Sequence, residues 1–290
     1  MAYLKTVICG MDLQPILDDC SLSSAVCTPV HGGDINLAFS LTYRGSRYFL
    51  KVNDASRFPN MFVAEQGGLR ALSNASFRTP GVLKCGIAGD SQYLLMEWID
   101  TGRRTPEFWK IFGRALAALH AKEQISFGWH EHNYVGSLAQ RNDACDRWPE
   151  FFCQYRLLPL ITMLRDSGAY TAADVMLAEK FACTIGDVFP EEKPSLLHGD
   201  LWSGNFMVDR NDQPLLIDPA VYCGHREIDI GMTKLFGGFD EIFYNEYCNV
   251  FPLQKGWEDR LQVSQLYPLL VHAVLFGGAY IRQTLRIFRR

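Results

Sequence analysis

Residues 198–205 read His-Gly-Asp-Leu-Trp-Ser-Gly-Asn, and residues 216–220 read Leu-Ile-Asp-Pro-Ala. Asp200 and Asn205 stand five positions apart on one loop, so their side chains can converge on a point. Asp218 follows an apolar run, as a residue at the end of a buried strand would. Two carboxylates and one amide oxygen suit a hard cation such as Mg²⁺, which prefers oxygen ligands and retains waters. One of the carboxylates can instead accept or orient a substrate hydroxyl proton. A lone His-Gly-Asp is an ordinary turn. The full spaced set, H-G-D-x-x-x-x-N followed by apolar-apolar-Asp, is far more specific.

Upstream residues supply a context for that loop. Lys51 sits in the aromatic run Tyr48-Phe49-Leu50-Lys51, and a Lys in the middle of a sheet is expensive to bury unless paired. Glu65 lies fourteen positions later on an expected helix. An ion pair between them would aim the Lys at phosphate oxygens. Taken singly, each residue reads equally well as a surface charge; taken with the Asp200 loop, they read as a pair. His31-Gly32-Gly33-Asp34-Ile35-Asn36 precedes the first expected hairpin strand, and its two glycines let backbone N–H groups approach phosphates closely. It matches neither G-x-G-x-x-G nor a Walker A loop.

The surrounding pattern is α+β, with residues 1–100 rich in strands and residues 101–290 mainly helical. Residues 37–43 (LAFSLTY) and 47–53 (RYFLKVN), joined by Arg44-Gly45-Ser46, predict a β-hairpin. Residues 60–73 predict a helix from Phe62, Glu65, Leu69 and Leu72, although Gly67-Gly68 weakens it. VLKCGIA and QYLLMEWI predict two more strands. Thr105-Pro106-Glu107 predicts a helix start: an N-cap hydroxyl, Pro at the first position, then a carboxylate at the positive end of the dipole. The rest reads as helical, apart from residues 196–222.

Composition narrows the classes. The chain has 290 residues, 48% of them hydrophobic and 21% charged, which is globular rather than disordered or fibrous. With 28 Lys+Arg against 32 Asp+Glu, the net charge is −4. No basic cluster marks a nucleic-acid partner. No apolar run approaches the roughly 20 residues of a membrane span, and the N-terminal stretch does not read as a secretory signal. Nine scattered cysteines without a C-x-x-C pair read as reduced thiols. The expectation is a cytoplasmic enzyme, monomeric by default, with no membrane or nucleic-acid partner.

These residues together resemble the protein-kinase-like fold of small-molecule kinases, with a small strand-rich N-lobe and a larger helical C-lobe. More narrowly, HGDLWSGN with IDPAVYCGHREIDIGMTKLFGGF is similar to the fructosamine-3-kinase, or ketosamine kinase, family. MFVAEQGGLRAL around Glu65, FGRALAALH ending at His120 and LFGGAY near the C-terminus extend the likeness over nearly the whole chain. Trp202 separates it from aminoglycoside phosphotransferases, which usually carry His-Pro there. The resemblance implies ATP-dependent phosphorylation of the 3-hydroxyl of ketosamines, on lysine side chains or free amines, as a deglycation repair. It implies Asp200 as the catalytic residue, Asn205 and Asp218 as Mg²⁺ ligands, and Lys51, positioned by Glu65, as the α/β-phosphate contact. Backbone groups of Glu97, Trp98 and Ile99 would receive adenine, and Gly32, Gly33, Asp34, Ile35 and Asn36 would cover the phosphates. His198 and Asp229 would brace the catalytic loop.

Some assignments stay open. Trp202 is either a platform beside the sugar or a core residue beneath the loop. His225, Arg226 and Glu227 either touch substrate or form a buried ion-pair brace. The glycine loop lacks the Cys through which some relatives form disulfide dimers, so that redox switch is not expected. Val271-His272 replaces the family's usual Asn-His. The competing readings are a kinase for an aminoglycoside or choline-like amine, a non-catalytic nucleotide-binding module, and a metal-dependent hydrolase.

Overall fold

The computed structural model describes residues 7–8, 11–30 and 35–289. His31, Gly32, Gly33 and Asp34 of the expected phosphate loop lie outside them. A short hairpin, β1 (Val7–Ile8) and β2 (Met11–Asp12), and helix α1 (Gln14–Asp19) lead into a five-stranded antiparallel sheet. Its strands are β3 (Val26–Pro29), β4 (Leu37–Tyr43), β5 (Ser46–Asp54), β6 (Val82–Ala88) and β7 (Ser91–Glu97), in the order β3-β4-β5-β7-β6. The expected hairpin is β4–β5. It closes through a two-residue turn with positive φ at Arg44 and Gly45, the handedness that fits strand twist.

Strand periodicity decides where Lys51 points. Alternate side chains of a strand face opposite sides, and Leu50 and Val52 join Phe39, Leu41, Tyr93 and Leu95 in the core beneath α1. Lys51 therefore faces the other side, which is covered by α2 (Met61–Asn74). There Phe62 and Leu69 pack on Leu94 and Met96. The two glycines do not interrupt α2. A Cβ on Gly68 would stand 3.2 Å from Pro219 and 3.3 Å from Val221, so the missing side chain lets the helix ride directly on the segment after Asp218.

The C-terminal part contains α3 (Pro106–His120), the hairpin β8 (Asn133–Val135) and β9 (Leu138–Gln140), and α4 (Trp148–Phe151). A π-helical turn, Phe152–Leu157, joins α4 to α5 (Leu158–Asp166), and α6 (Ala172–Ala182) follows. Two strand pairs carry the central loops: β10 (Ser195–Leu197) with β13 (Tyr222–Gly224), and β11 (Phe206–Val208) with β12 (Pro214–Leu216). The chain ends with α7 (Glu227–Leu235), α8 (Glu241–Val250), α9 (Trp257–Ser264), α10 (Leu266–Phe276) and α11 (Ala279–Phe288). Helix α3 begins as its sequence dictates: Thr105 Oγ1 accepts from the Phe108 N–H at 3.1 Å. Its apolar face, Phe108, Phe112 and Leu116, packs with Phe206 and with Phe243 and Tyr247 of α8. The β8–β9 hairpin was not expected; strands of three residues are too short to show a period. Among the described residues, no helix is long and apolar enough to cross a membrane.

Candidate active site

A cleft of about 1190 Å³ opens between the sheet and the helical part. Lys51 reaches across it. Its Nζ donates to Glu65 Oε1 at 2.8 Å and to Asp218 Oδ1 at 2.7 Å, so one ammonium joins β5, α2 and the strand end after β12. Burial works against this charge, but the carboxylates of Asp218 and Glu65 outweigh it and hold the Lys51 pKa above the ordinary lysine range. Glu65 is buried, whereas the Asp218 side chain remains 44% exposed to the cleft. Asp218 adopts φ +54°, which is strained for a residue with a side chain. Its neighbours fix it: the Ile217 N–H donates to Asn205 O at 3.1 Å, and His198 Nε2–H donates to Ile217 O at 2.9 Å.

The 198–205 loop is held from beneath by Asp229 at the start of α7. Its carboxylate accepts from the His198 N–H at 2.7 Å and the Gly199 N–H at 3.0 Å, with His120 Nε2 at 3.3 Å. His198 is fully buried, and desolvation lowers its pKa, so it is a neutral imidazole. Its Nδ1 then accepts from the Asp200 N–H at 3.2 Å. Asn205 Nδ2 donates to Asp200 Oδ2 and to Asp200 O, both at 2.8 Å. Burial pushes the Asp200 carboxyl up to about 7; the Asn205 bond opposes this, and the charges of Asp218 and Asp229 add to it.

Gly199 has φ +84°, and a Cβ there would stand 2.0 Å from Ala220 O. Gly199→Ala is therefore expected to lower thermal stability by about 1–3 kcal/mol and to depress turnover. Thermal unfolding and steady-state kinetics of the purified variant check both.

The remaining walls come from several elements. Glu97 spends its N–H on Gly81 O and its Oε1 on the Gly81 N–H, each at 2.9 Å. Of the three expected adenine-facing residues, Glu97 thus has no free N–H. Among the described residues, the N–H group of Ile99 meets no protein acceptor, whereas that of Trp98 is turned towards Arg47 of β5. Arg47 stacks on Trp98 at 3.8 Å. Ile35 and Asn36 line the cleft. Trp202 is 38% exposed, stands edge-on to Phe236 at 6.2 Å and lines the cleft, so it is not a core residue.

His225, Arg226 and Glu227 do not line the cleft. All three are buried. Arg226 Nε and Nη2 each donate to Glu192 at 2.8 Å, and further bonds go to Phe251 O and Pro252 O. Glu227 accepts from Arg260 at 2.5 and 3.0 Å, and burial drives His225 down to about 4. Of the two readings left open, the substrate contact is set aside for the ion-pair brace, because Arg226 and Glu227 are already paired and none of the three faces the cleft. Sequence reasoning also missed wall residues. Asn133 and Tyr134 come from the unexpected hairpin, and Phe236, His272, Phe276 and Tyr280 come from helices α7, α10 and α11 and their ends. The sequence signals for the last four were the LFGGF block for Phe236, the LFGGAY block for Phe276 and Tyr280, and the Val271-His272 pair for His272.

A paired strand lysine facing an Asp/Asn loop and a second Asp across an interlobe cleft is the layout of a small-molecule kinase on the protein-kinase-like fold. The family described as fructosamine kinase matches residues 19–290. A probable ketoamine kinase of Enterococcus faecium is 39% identical over 275 residues, covering 93% of this chain and 96% of its own. The chloroplastic protein-ribulosamine 3-kinase of Arabidopsis thaliana is 38% identical, covering 87% of this chain and 78% of its own. The crystal structure of a candidate fructosamine-3-kinase from Thermobifida fusca superposes with a TM-score of 0.82 at 35% identity, over 91% of this chain and 92% of that one. The chain belongs to the fructosamine kinase family. It is a phosphotransferase that uses ATP to phosphorylate a hydroxyl of ketosamines; the aminoglycoside, choline and non-catalytic readings are not favoured. Among the described residues, no group of three His, Cys, Asp or Glu is placed to hold a metal.

Proposed function

We infer that Asp200 accepts the proton of the ketosamine 3-hydroxyl as that oxygen attacks the γ-phosphorus of ATP. The single observation carrying this is the pair Asp200–Asn205, linked at 2.8 Å on the loop that faces Asp218 and Lys51 across the cleft. Asn205 Nδ2 orients the Asp200 carboxylate, and the Lys51 ammonium, held by Glu65, offers its charge to the α- and β-phosphates. Backbone groups of Glu97, Trp98 and Ile99 receive adenine, and the loop 32–36 covers the phosphates. His198 and Asp229 keep the loop in register. The lobes divide near residue 100, where Trp98 and Ile99 join them.

Asn205 and Asp218 would hold Mg²⁺. Both offer oxygen, the donor this ion prefers; Asp218 is half exposed, and no donor among the described residues reaches Asn205 Oδ1. When bound, the ion neutralises charge on the transferring phosphates. Transfer itself is mostly positioning and electrostatics, so few groups need to be fixed. In the product, 1,2-enolisation makes the C3 phosphate an allylic leaving group. The nitrogen lone pair expels it, and hydrolysis of the resulting imine frees the amine. We place this repair in the cytoplasm, where the free thiols among the described residues stay reduced.

ATP consumption with Mg²⁺ against ribuloselysine, fructoselysine, an aminoglycoside and choline tests the reading, with Asp200→Ala as control. Turnover on a ketosamine that the substitution abolishes supports it; a fully active Asp200→Ala sinks the role of Asp200. Trp202, exposed on the wall, gives the acceptor an aromatic face. Trp202→Ala is expected to raise the ketosamine KM about 3- to 10-fold, as loss of one aromatic contact implies, with the KM for ATP little changed.

A further inference from the structure

Arg156 lies in the π-helical turn between α4 and α5, fully buried, and no carboxylate reaches it among the described residues. An unpaired buried charge is costly unless other groups satisfy it. Here carbonyl and amide oxygens serve the two terminal nitrogens, while Nε meets no partner among the described residues: Nη1 donates to Arg141 O at 2.6 Å and Tyr155 O at 3.0 Å, and Nη2 donates to Asn142 Oδ1 at 2.6 Å. The ring of Tyr222 lies 4.0 Å from the guanidinium.

A guanidinium can only donate, and this fixes the direction of every amide beyond it. Asn142 must present its oxygen to Arg156, so its Nδ2 turns to Asn133 Oδ1 at 3.0 Å. Asn133 must then turn its own Nδ2 outward, where it donates to Val221 O at 2.8 Å. A second branch reaches α10. Gln140 Nε2 donates to Asn133 Oδ1 at 2.7 Å and to Ala220 O at 3.1 Å, and Tyr267 OH, able to donate or accept, donates to the Gln140 Oε1 that this leaves, at 2.5 Å. Both branches end on carbonyls, which only accept. Those carbonyls belong to the second and third residues after the left-handed Asp218, and Ala220 O is also the atom against which Gly199 packs.

We propose that Gln140 is a positioning residue, with Arg156 setting its direction through Asn142 and Asn133 and Tyr267 holding its oxygen. It fixes the backbone after Asp218 and so couples helix α10, which lines the cleft, to the Asp218 end of the site. The inference rests on the reading of Asp218 as a Mg²⁺ ligand.

The test compares Gln140→Met with wild type and with Asp218→Asn. It measures steady-state kinetics on ribuloselysine and, by calorimetry, ADP affinity with and without Mg²⁺. Gln140→Met leaves Ala220 O without its amide donor, so kcat is expected to fall about tenfold. The ketosamine KM and the Mg²⁺-free ADP affinity stay unchanged, while the gain in ADP affinity on adding Mg²⁺ shrinks. A lowered melting midpoint with kcat and that gain intact makes Gln140 merely structural and overturns the proposal. If Asp218→Asn itself leaves the gain intact, Asp218 has been misread and the proposal falls at its premise. Should Gln140→Met not fold, Tyr267→Phe keeps the ring and removes only the hydroxyl that holds Gln140 Oε1. The same split, smaller in size, supports the proposal, and wild-type values overturn it.

Discussion

Asp200→Asn is expected to lower kcat by about 10²- to 10⁴-fold, the usual worth of a positioned proton acceptor. The substitution keeps the side chain's size, and the amide can still lie against Asn205, whose Nδ2 stands 2.8 Å from Asp200 Oδ2. It removes the oxygen able to take a proton. On the proposed roles, nucleotide binding rests instead on Lys51, held by Glu65, and on the backbone of Glu97, Trp98 and Ile99. The KM for ATP should therefore change little, so kcat and kcat/KM fall together, which is the signature of an interaction made only in the transition state. A matching rise in the KM for ATP would instead place Asp200 in nucleotide binding. Steady-state kinetics with ATP and ketosamine varied in turn separates the two. Lys51→Met makes a useful contrast, because it removes the ammonium shared by Glu65 and Asp218 and should affect nucleotide affinity first.

Much of this site is legible in the chain because its geometry is local. Asp200 and Asn205 share one loop, so their spacing alone brings them within a hydrogen bond. Thr105-Pro106-Glu107 carries its own helix start. Lys51 is half legible: alternation along β5 puts it opposite Leu50 and Val52, but only the folded sheet shows α2 lying on that side. Gly67-Gly68 misleads as a weak helix, since the reason for Gly68 is a contact with Pro219 and Val221, some 150 positions away. The β8–β9 hairpin is silent in the sequence. Its strands are too short for a period, and the value of Asn133 and Gln140 lies in carbonyls contributed by a distant segment. Trp202 was undecided for a related reason. An indole serves a core or a cleft wall equally well, and only the neighbouring Phe236 and Gly204 decide which.

His225-Arg226-Glu227 shows the same limit with larger energetic consequences, and it yields the strongest stability effect. A charged triplet beside a catalytic loop looks like a substrate contact until its partners are known, and those are Glu192, 34 positions before Arg226, and Arg260, 33 positions after Glu227. Arg226→Met is expected to destabilise the fold by about 3–5 kcal/mol, the cost of stranding one partner of a buried ion pair. Glu192 would keep its charge without the fork that now accounts for much of its depressed pKa against the opposing cost of burial, and Phe251 O and Pro252 O would lose their donor. At about 2–4 °C per kcal/mol for a chain of this class, the melting midpoint should drop by about 10 °C. Arg226→Lys restores the charge but not the two parallel bonds to Glu192, so it should recover only part of the loss. The double variant Arg226→Met, Glu192→Leu should be more stable than Arg226→Met alone, because the stranded carboxylate is gone. Below their melting points all three should bind ketosamine as wild type does, since none of these side chains lines the cleft. An undiminished melting midpoint combined with a raised ketosamine KM would instead return Arg226 to the substrate. The bidentate pair to Glu192 and the two carbonyl bonds, which leave no donor of the guanidinium pointing to the cleft, argue for the brace.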